Sequence, residues 1–339
     1  MAQSNKAEGN NVVAVYGASG HTGRFVVAEL LRRGLNAVAV GRDVSSVPAG
    51  VPARTATIDD AAALDRAFAD CAVVINCAGP FLETASPIVE AALRAGSAYL
   101  DVTAEQASAL AIFEQYDERA REAGVALIPA AGFYGGLADV LATALAGRGP
   151  VDDMTIAIAL DRWWPTKGTR KTGERNRVPR VVVENGALVP MTIPARQTEW
   201  TFAAPHGVQT VEELTFSEVI TISRHLKVSN LRAYLNVASL TDVRNATPPP
   251  PTAVDTQGRS AQQFAMEVVA SGDGGSRRAL AWGQDIYAVT APLVAEAAQR
   301  MLQPAFDRTG ALALGEAFDA EDFLRSFQPG QLAFELDAA

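Results

Sequence analysis

The chain has 339 residues, of which 48% are hydrophobic and 20% charged, with a formal net charge of −9. This is the composition of a globular protein, and the length favours two domains. The acidic balance excludes nonspecific nucleic-acid binding, and the lack of a run of about eighteen apolar residues excludes a membrane span.

Residues 1–10 are polar and lack an apolar signal core, so they read as a disordered tail. Cys71 and Cys77 read as small buried residues of a reducing compartment, so the expected location is cytoplasmic. From Asn11 onward, short apolar runs alternate with helical patterns. Val12–Tyr16, Ala37–Val40, Arg54–Thr57, Ala72–Asn76, Tyr99–Val102 and Val125–Pro129 read as strands. Thr22–Arg33, Asp59–Ala69, a segment opened by Pro87 and stopped by Gly96, and 107–123 read as helices. Six strands with helical crossovers predict an α/β Rossmann domain, a doubly wound parallel sheet, over residues 11–150.

Beyond Pro150 the pattern changes. Met154–Leu160, Val181–Val183, Glu199–Phe202, Glu212–Ile222, Phe264–Ser271 and Arg277–Trp282 read as strands, with a hairpin turn at Gly272-Asp273-Gly274-Gly275. A helix is expected near Ser229–Ser239, and the proline run 248–251 reads as a stiff connection. Residues 151–284 are thus a second, α+β domain with a mainly antiparallel sheet. Residues 285–339 begin with the amphipathic helix Ile286–Leu302, expected to return to the first domain.

The loop Gly17-Ala18-Ser19-Gly20-His21-Thr22-Gly23 follows a strand and opens a helix, the context of a dinucleotide fingerprint. Its glycines permit a tight turn and close approach to a pyrophosphate met by the N–H groups of the helix start. Gly41-Arg42-Asp43 ends the second strand. Arg42 suits an adenosine 2′-phosphate, while Asp43 could serve a ribose, so NADP is favoured over NAD. Asn76-Cys77-Ala78-Gly79-Pro80 ends the fourth strand at the ligand-binding edge of such a sheet and completes the expected cofactor contacts.

These segments, with Ala95-Gly96-Ser97-Ala98-Tyr99-Leu100-Asp101-Val102-Thr103-Ala104-Glu105, resemble the saccharopine dehydrogenase-like oxidoreductases, which include trans-acting enoyl reductases. The similarity is clear over about Val12–Gly136, with Ala104 standing where the family usually has glycine. The resemblance implies a Rossmann domain, an inserted substrate domain, a returning C-terminal helix and a nicotinamide cofactor.

Hydride transfer asks the protein for positioning and a proton source. Tyr134, flanked by Gly132, Gly135 and Gly136, is the first candidate for that source, or else packs between domains. Asp101 is the second catalytic candidate, although it and Glu105 also suit caps or ion pairs. His21 reads as a spacer in the cofactor loop. His206 and His225 stand without companions at metal-ligand spacing, so no metal is expected.

Lys167, Arg170, Lys171, Arg175, Arg177 and Arg180 form a basic segment, either closing over phosphates or an anionic substrate, or simply solvated. No tyrosine has lysine four residues later, which rejects short-chain dehydrogenase chemistry. The expected function is an NADP-dependent reductase acting on C=C, C=N or C=O in a small or carrier-bound, anionic substrate, with a homodimer as the assembly considered. The alternative is a non-catalytic NADP-sensing regulator.

Overall fold

A computed structural model describes residues 11–148, 151–273, 275–327 and 330–337. The expected tail 1–10 and Gly274 of the expected turn lie outside the described residues.

The N-terminal half runs β1 (Val12–Tyr16), α1 (His21–Arg32), β2 (Asn36–Gly41), β3 (Ala53–Thr55), α2 (Ala61–Phe68) and β4 (Val73–Asn76). It continues through α3 (Phe81–Ala95), β5 (Ala98–Asp101), α4 (Gln106–Ala123), β6 (Ala126–Ile128), a π-helical turn (Phe133–Leu137) and α5 (Ala138–Ala146). The next stretch holds β7 (Asp153–Leu160), α6 (Lys167–Arg175), β8 (Val181–Glu184), β9 (Ala187–Pro190), β10 (Gln197–Thr201) and β11 (Val208–Glu213). Then come α7 (Glu218–His225), β12 (Asn230–Asn236), α8 (Val237–Arg244), β13 (Gln263–Gly272) and β14 (Gly275–Gln284). The chain closes with α9 (Thr290–Met301), β15 (Gly310–Ala311), α10 (Leu314–Ala317), α11 (Ala320–Arg325) and β16 (Ala333–Leu336).

The first sheet is parallel, in the order β15-β6-β5-β4-β1-β2-β3. Its central strands are buried on both faces, as their β-branched runs require. The second sheet follows β10-β11-β12-β7-β13-β14-β16, with β8 and β9 branching from β12. Its pairs are antiparallel except β12 with β7. This is the α/β class with a parallel Rossmann-like sheet and a mainly antiparallel second sheet. The seventh parallel strand, β15, comes from the C-terminal end and was not expected.

One apolar core joins the two sheets. Val13, Ile75 and Leu100 of the first sheet cluster with Val140 and Leu141 of α5, Ile156 and Met266 of the second sheet, and Leu293 of α9. Each such aliphatic side chain contributes roughly 1.5–3 kcal/mol on burial. The return of α9 onto α1 is also polar: Arg33 Nη1 donates to Gln299 Oε1 at 2.8 Å and pairs with Glu296.

Three expected elements need correction. The third helix starts at Phe81, leaving Pro87 inside it. Its start is fixed by the Glu105 carboxylate, which accepts from Phe81 N at 2.7 Å and Leu82 N at 3.4 Å. Pro87 costs the helix one donor, the one that would reach Glu83 O. The expected strand 212–222 breaks at Glu213, and α7 follows, with Val219, Ile220 and Ile222 buried on helical spacing. The expected helix at 229–239 is strand β12, where buried Leu231, Ala233 and Leu235 alternate with half-buried Arg232 and Tyr234. A helix begins only after it, at Val237.

Candidate active site

Between β1 and α1 the backbone folds back on itself. Gly17 sits at φ +83°, its N–H donates to Val40 O at 2.8 Å, and Gly20 N donates to Gly17 O at 2.9 Å. A Cβ on Gly23 would lie 2.1 Å from Gly17 O, and one on Gly17 would lie 3.0 Å from Ala78 Cβ. Gly17 and Gly23 are therefore required by the turn itself. Helix α1 has no side-chain cap at Gly20 and no acidic residue in its first turn, so its first N–H groups face outward for an anion. This bare, uncapped cradle fits a dinucleotide pyrophosphate.

Arg42 and Asp43 follow β2 beside the loop. Asp43 Oδ1 accepts from the Ser45 hydroxyl at 2.6 Å and Ser45 N at 2.9 Å, and these bonds hold its carboxyl below the usual range. The exposed Arg42 guanidinium is the group at this strand end suited to a 2′-phosphate. After β4, Cys77, Ala78 and Gly79 line the same space. Asn76 does not: it is fully buried, donating to Thr84 Oγ1 at 3.2 Å and Tyr99 OH at 3.3 Å and accepting from Ala78 N at 3.0 Å. It shapes the loop from behind. Burial pushes the Cys77 thiol far up, so it stays protonated.

A cavity of about 1450 Å³ runs from these loops to the second sheet. Gly17, Ser19, Gly20, His21, Thr22, Arg42, Cys77, Ala78, Gly79 and Tyr134 all line it. Gly23, Asn76, Pro80 and Asp101 lie outside that lining.

Asp101 is fully buried at the end of β5, where it accepts from Tyr99 OH (2.9 Å), Thr103 N (2.9 Å) and Ala130 N (2.8 Å). Burial raises its pKa to about 6 against the pull of those donors. These bonds make it a tie between β5 and the turn after β6, outside the cavity lining.

Tyr134 lies in the π-helical turn, 9% exposed, and its hydroxyl has no hydrogen-bond partner among the described residues. Burial keeps that hydroxyl far above the ordinary tyrosine range, so it is protonated and able to donate. The neighbouring glycines crowd the backbone rather than a ligand. A Cβ on Gly135 would lie 2.4 Å from Ala130 O, and one on Gly136 would lie 2.5 Å from Ala131 O. His21 Nε2 is the other cavity-lining side-chain atom left buried without a partner among the described residues. Burial lowers the His21 pKa, so the ring is neutral at physiological pH.

The far wall was not foreseen from sequence, because its residues are scattered along the chain. The rings of His21 and Tyr287 meet edge to face at 5.3 Å, and Trp163 Nε1 donates to Tyr287 OH at 3.0 Å. Trp163 lies 6.2 Å from Tyr134, whose ring stacks 4.1 Å from Phe216. The Arg180 guanidinium sits 4.8 Å above Phe216. The basic segment that leads to Arg180 is helical over most of its length, with Lys167, Arg175 and Arg177 exposed. Residues Lys167–Arg175 form α6, capped by Thr166 Oγ1 and tied down by Arg170 to Asn245 O (3.0 Å) and Pro248 O (2.9 Å). Arg175 pairs with Glu83, and a Cβ on Gly79 would lie 3.1 Å from Thr172 Oγ1, so α6 lies directly over the loop that follows β4.

Among the described residues no three His, Cys, Asp or Glu side chains are grouped to hold a metal. His225 instead pairs with Asp139 at 2.8 Å. No helix among them is long and apolar enough to cross a membrane.

Comparison with known proteins agrees with this geometry. The family described as saccharopine dehydrogenase NADP binding domain matches residues 13–128. The saccharopine dehydrogenase-like oxidoreductase of Bos taurus is 27% identical over 147 residues, 36% of this chain and 34% of that one. A protein of Caenorhabditis elegans named lipid droplet localized protein is 30% identical over 139 residues, covering 36% of this chain and 33% of its own. The matched part thus spans about a third of the curated relatives' length. The apo saccharopine dehydrogenase (L-Glu forming) of Saccharomyces cerevisiae shares the fold with a TM-score of 0.67 at 13% identity, over 97% of this chain and 100% of that chain. The glycine cradle and Arg42 thus lie within the stretch, residues 13–128, that is similar to the saccharopine dehydrogenase NADP binding domain.

Proposed function

We propose that the protein is an NADP-dependent oxidoreductase, a reductase acting on a C=C, C=N or C=O bond of a small or carrier-bound substrate. The observation that carries this reading is the single cavity that joins the glycine cradle to the unpartnered Tyr134 hydroxyl. On this reading residues 11–150 hold the cofactor, residues 151–284 cover the substrate, and residues 285–339 lock the two together. The two unpaired cysteines favour a reducing compartment such as the cytoplasm.

NADPH, when bound, supplies the hydride. The chain's own residues do the rest. The amides of the α1 start and Arg42 fix the phosphates, and the aromatic wall excludes water from the reacting bond. Tyr134 donates a hydrogen bond, and then a proton, to the heteroatom or conjugated carbonyl oxygen of the acceptor. Hydride and proton together saturate one double bond and leave NADP⁺.

The test is NADPH oxidation by the purified chain against a panel of enones, imines and ketones. Stoichiometric, substrate-dependent oxidation is expected, and Tyr134→Phe should lower kcat by about 10²–10⁴-fold while leaving NADPH affinity unchanged. NADPH binding without turnover of any panel member would overturn the reading in favour of a cofactor-sensing regulator.

A further inference from the structure

The aromatic wall ends on a cation. Arg180 lines the cavity, with its guanidinium over the Phe216 ring. One of its nitrogens, Nη1, donates to Thr215 O. Among the described residues no carboxylate reaches ion-pair distance of it. A desolvated guanidinium without a counter-ion is costly, and its planar fork retains unused donors. Burial pulls its pKa below the ordinary arginine value. The carboxylate whose charge does reach it, Glu218, is itself pushed up to about 7 by burial, so it compensates incompletely at neutral pH. Glu218 is also engaged elsewhere, since its Oε1 accepts from Phe216 N at 2.8 Å.

The stacking order fixes where an anion would sit. Tyr134 lies against Phe216, and Phe216 against Arg180, so the unpartnered hydroxyl and the unpaired cation flank one aromatic ring. We propose that this end of the cavity is a carboxylate-recognition site, in which Arg180 binds an anionic group of a substrate whose reducible bond lies beside Tyr134. A carboxylate is favoured over a phosphate because a single planar guanidinium on an apolar ring matches one planar monoanion. Three of the other lining cations, besides Arg24 and Lys167, serve different ends. Arg170 is spent on backbone carbonyls, Arg244 pairs with Glu212, and Arg42 lies at the cofactor mouth. The assignment rests on the reductase reading, because it names the substrate class for that same cavity.

The experiment titrates the full chain, saturated with NADP⁺, with benzoate, trans-cinnamate and hexanoate, each beside its primary amide and beside phenyl phosphate. At least one of the three carboxylates should bind at least tenfold tighter than its amide and than phenyl phosphate. Arg180→Met should erase the preference at unchanged NADP⁺ affinity, and Arg180→Lys should retain part of it. The inference is overturned if no carboxylate outdoes its amide, if phenyl phosphate binds best, or if the preference survives Arg180→Met. Should Arg180→Met fail to fold, the carboxylate-to-amide ratio of the unaltered chain decides alone. Failure of NADP⁺ itself to bind would instead strike the reductase reading, so the two failures are separable.

Discussion

Arg42 and Asp43 stand side by side at the end of β2, and both line the cavity. Ser45 holds one Asp43 oxygen, whereas the Arg42 guanidinium is the cation suited to a 2′-phosphate. A charge-assisted bidentate contact contributes about 1.5–3 kcal/mol, or roughly 10–100-fold in affinity. Arg42→Ala should therefore weaken NADP⁺ by that factor and leave NAD⁺ nearly unchanged in calorimetric titration; equal losses for both cofactors would show that Arg42 does not read the 2′-phosphate. At this scale the cofactor loop was legible in sequence, because a glycine turn is a local backbone requirement. Tyr134 was singled out on its glycine neighbours, although those glycines answer to Ala130 and Ala131 rather than to a ligand. Trp163, Phe216 and Tyr287 carry no local sign of their role. They meet only after the second sheet has folded.

Elements are held by specific side-chain ties, and one of them titrates. His225 at the end of α7 bonds Asp139 of α5 at 2.8 Å, and the other Asp139 oxygen accepts from Gly315 N of α10 at 2.6 Å. Burial alone would lower the His225 pKa, but the Asp139 carboxylate outweighs it and the net shift is upward. A raised histidine stabilises the fold fully below its unfolded value near 6.5 and loses that stabilisation as pH climbs through the folded value. The thermal midpoint of the unaltered protein minus that of His225→Gln should therefore be largest near pH 6 and shrink toward pH 8. A difference that is flat or grows with pH would contradict a charged His225–Asp139 pair.

The misread elements have a physical reason as well. Leu214 to Ile222 alternates enough to mimic a strand, whereas the helix α7 is selected by packing on α5 and α4. The third helix begins six residues earlier than its proline suggested, because Glu105, distant in sequence, caps it. Propensity is a weak prior where a tertiary partner satisfies the backbone.

At the scale of the whole molecule, alternation of strand and helix sufficed to read the parallel sheet, since each βα unit repeats one local pattern. The two-residue strand β15 is too short to leave a pattern, and the pairing of β12 with β7 across more than 70 residues leaves none either. What the long-range pairing achieves is a core shared by the two sheets and a large cavity lined from both, with the cofactor cradle on one sheet's edge and the aromatic wall beside it. That arrangement is the central claim, and a crystal structure of the NADP⁺ complex tests it most directly. It should show the pyrophosphate on the backbone amides of Gly20 to Thr22, the 2′-phosphate against Arg42, and the nicotinamide ring within the aromatic section facing the Tyr134 hydroxyl. A nicotinamide directed away from Tyr134, or a dinucleotide seated outside this cavity, would contradict the account.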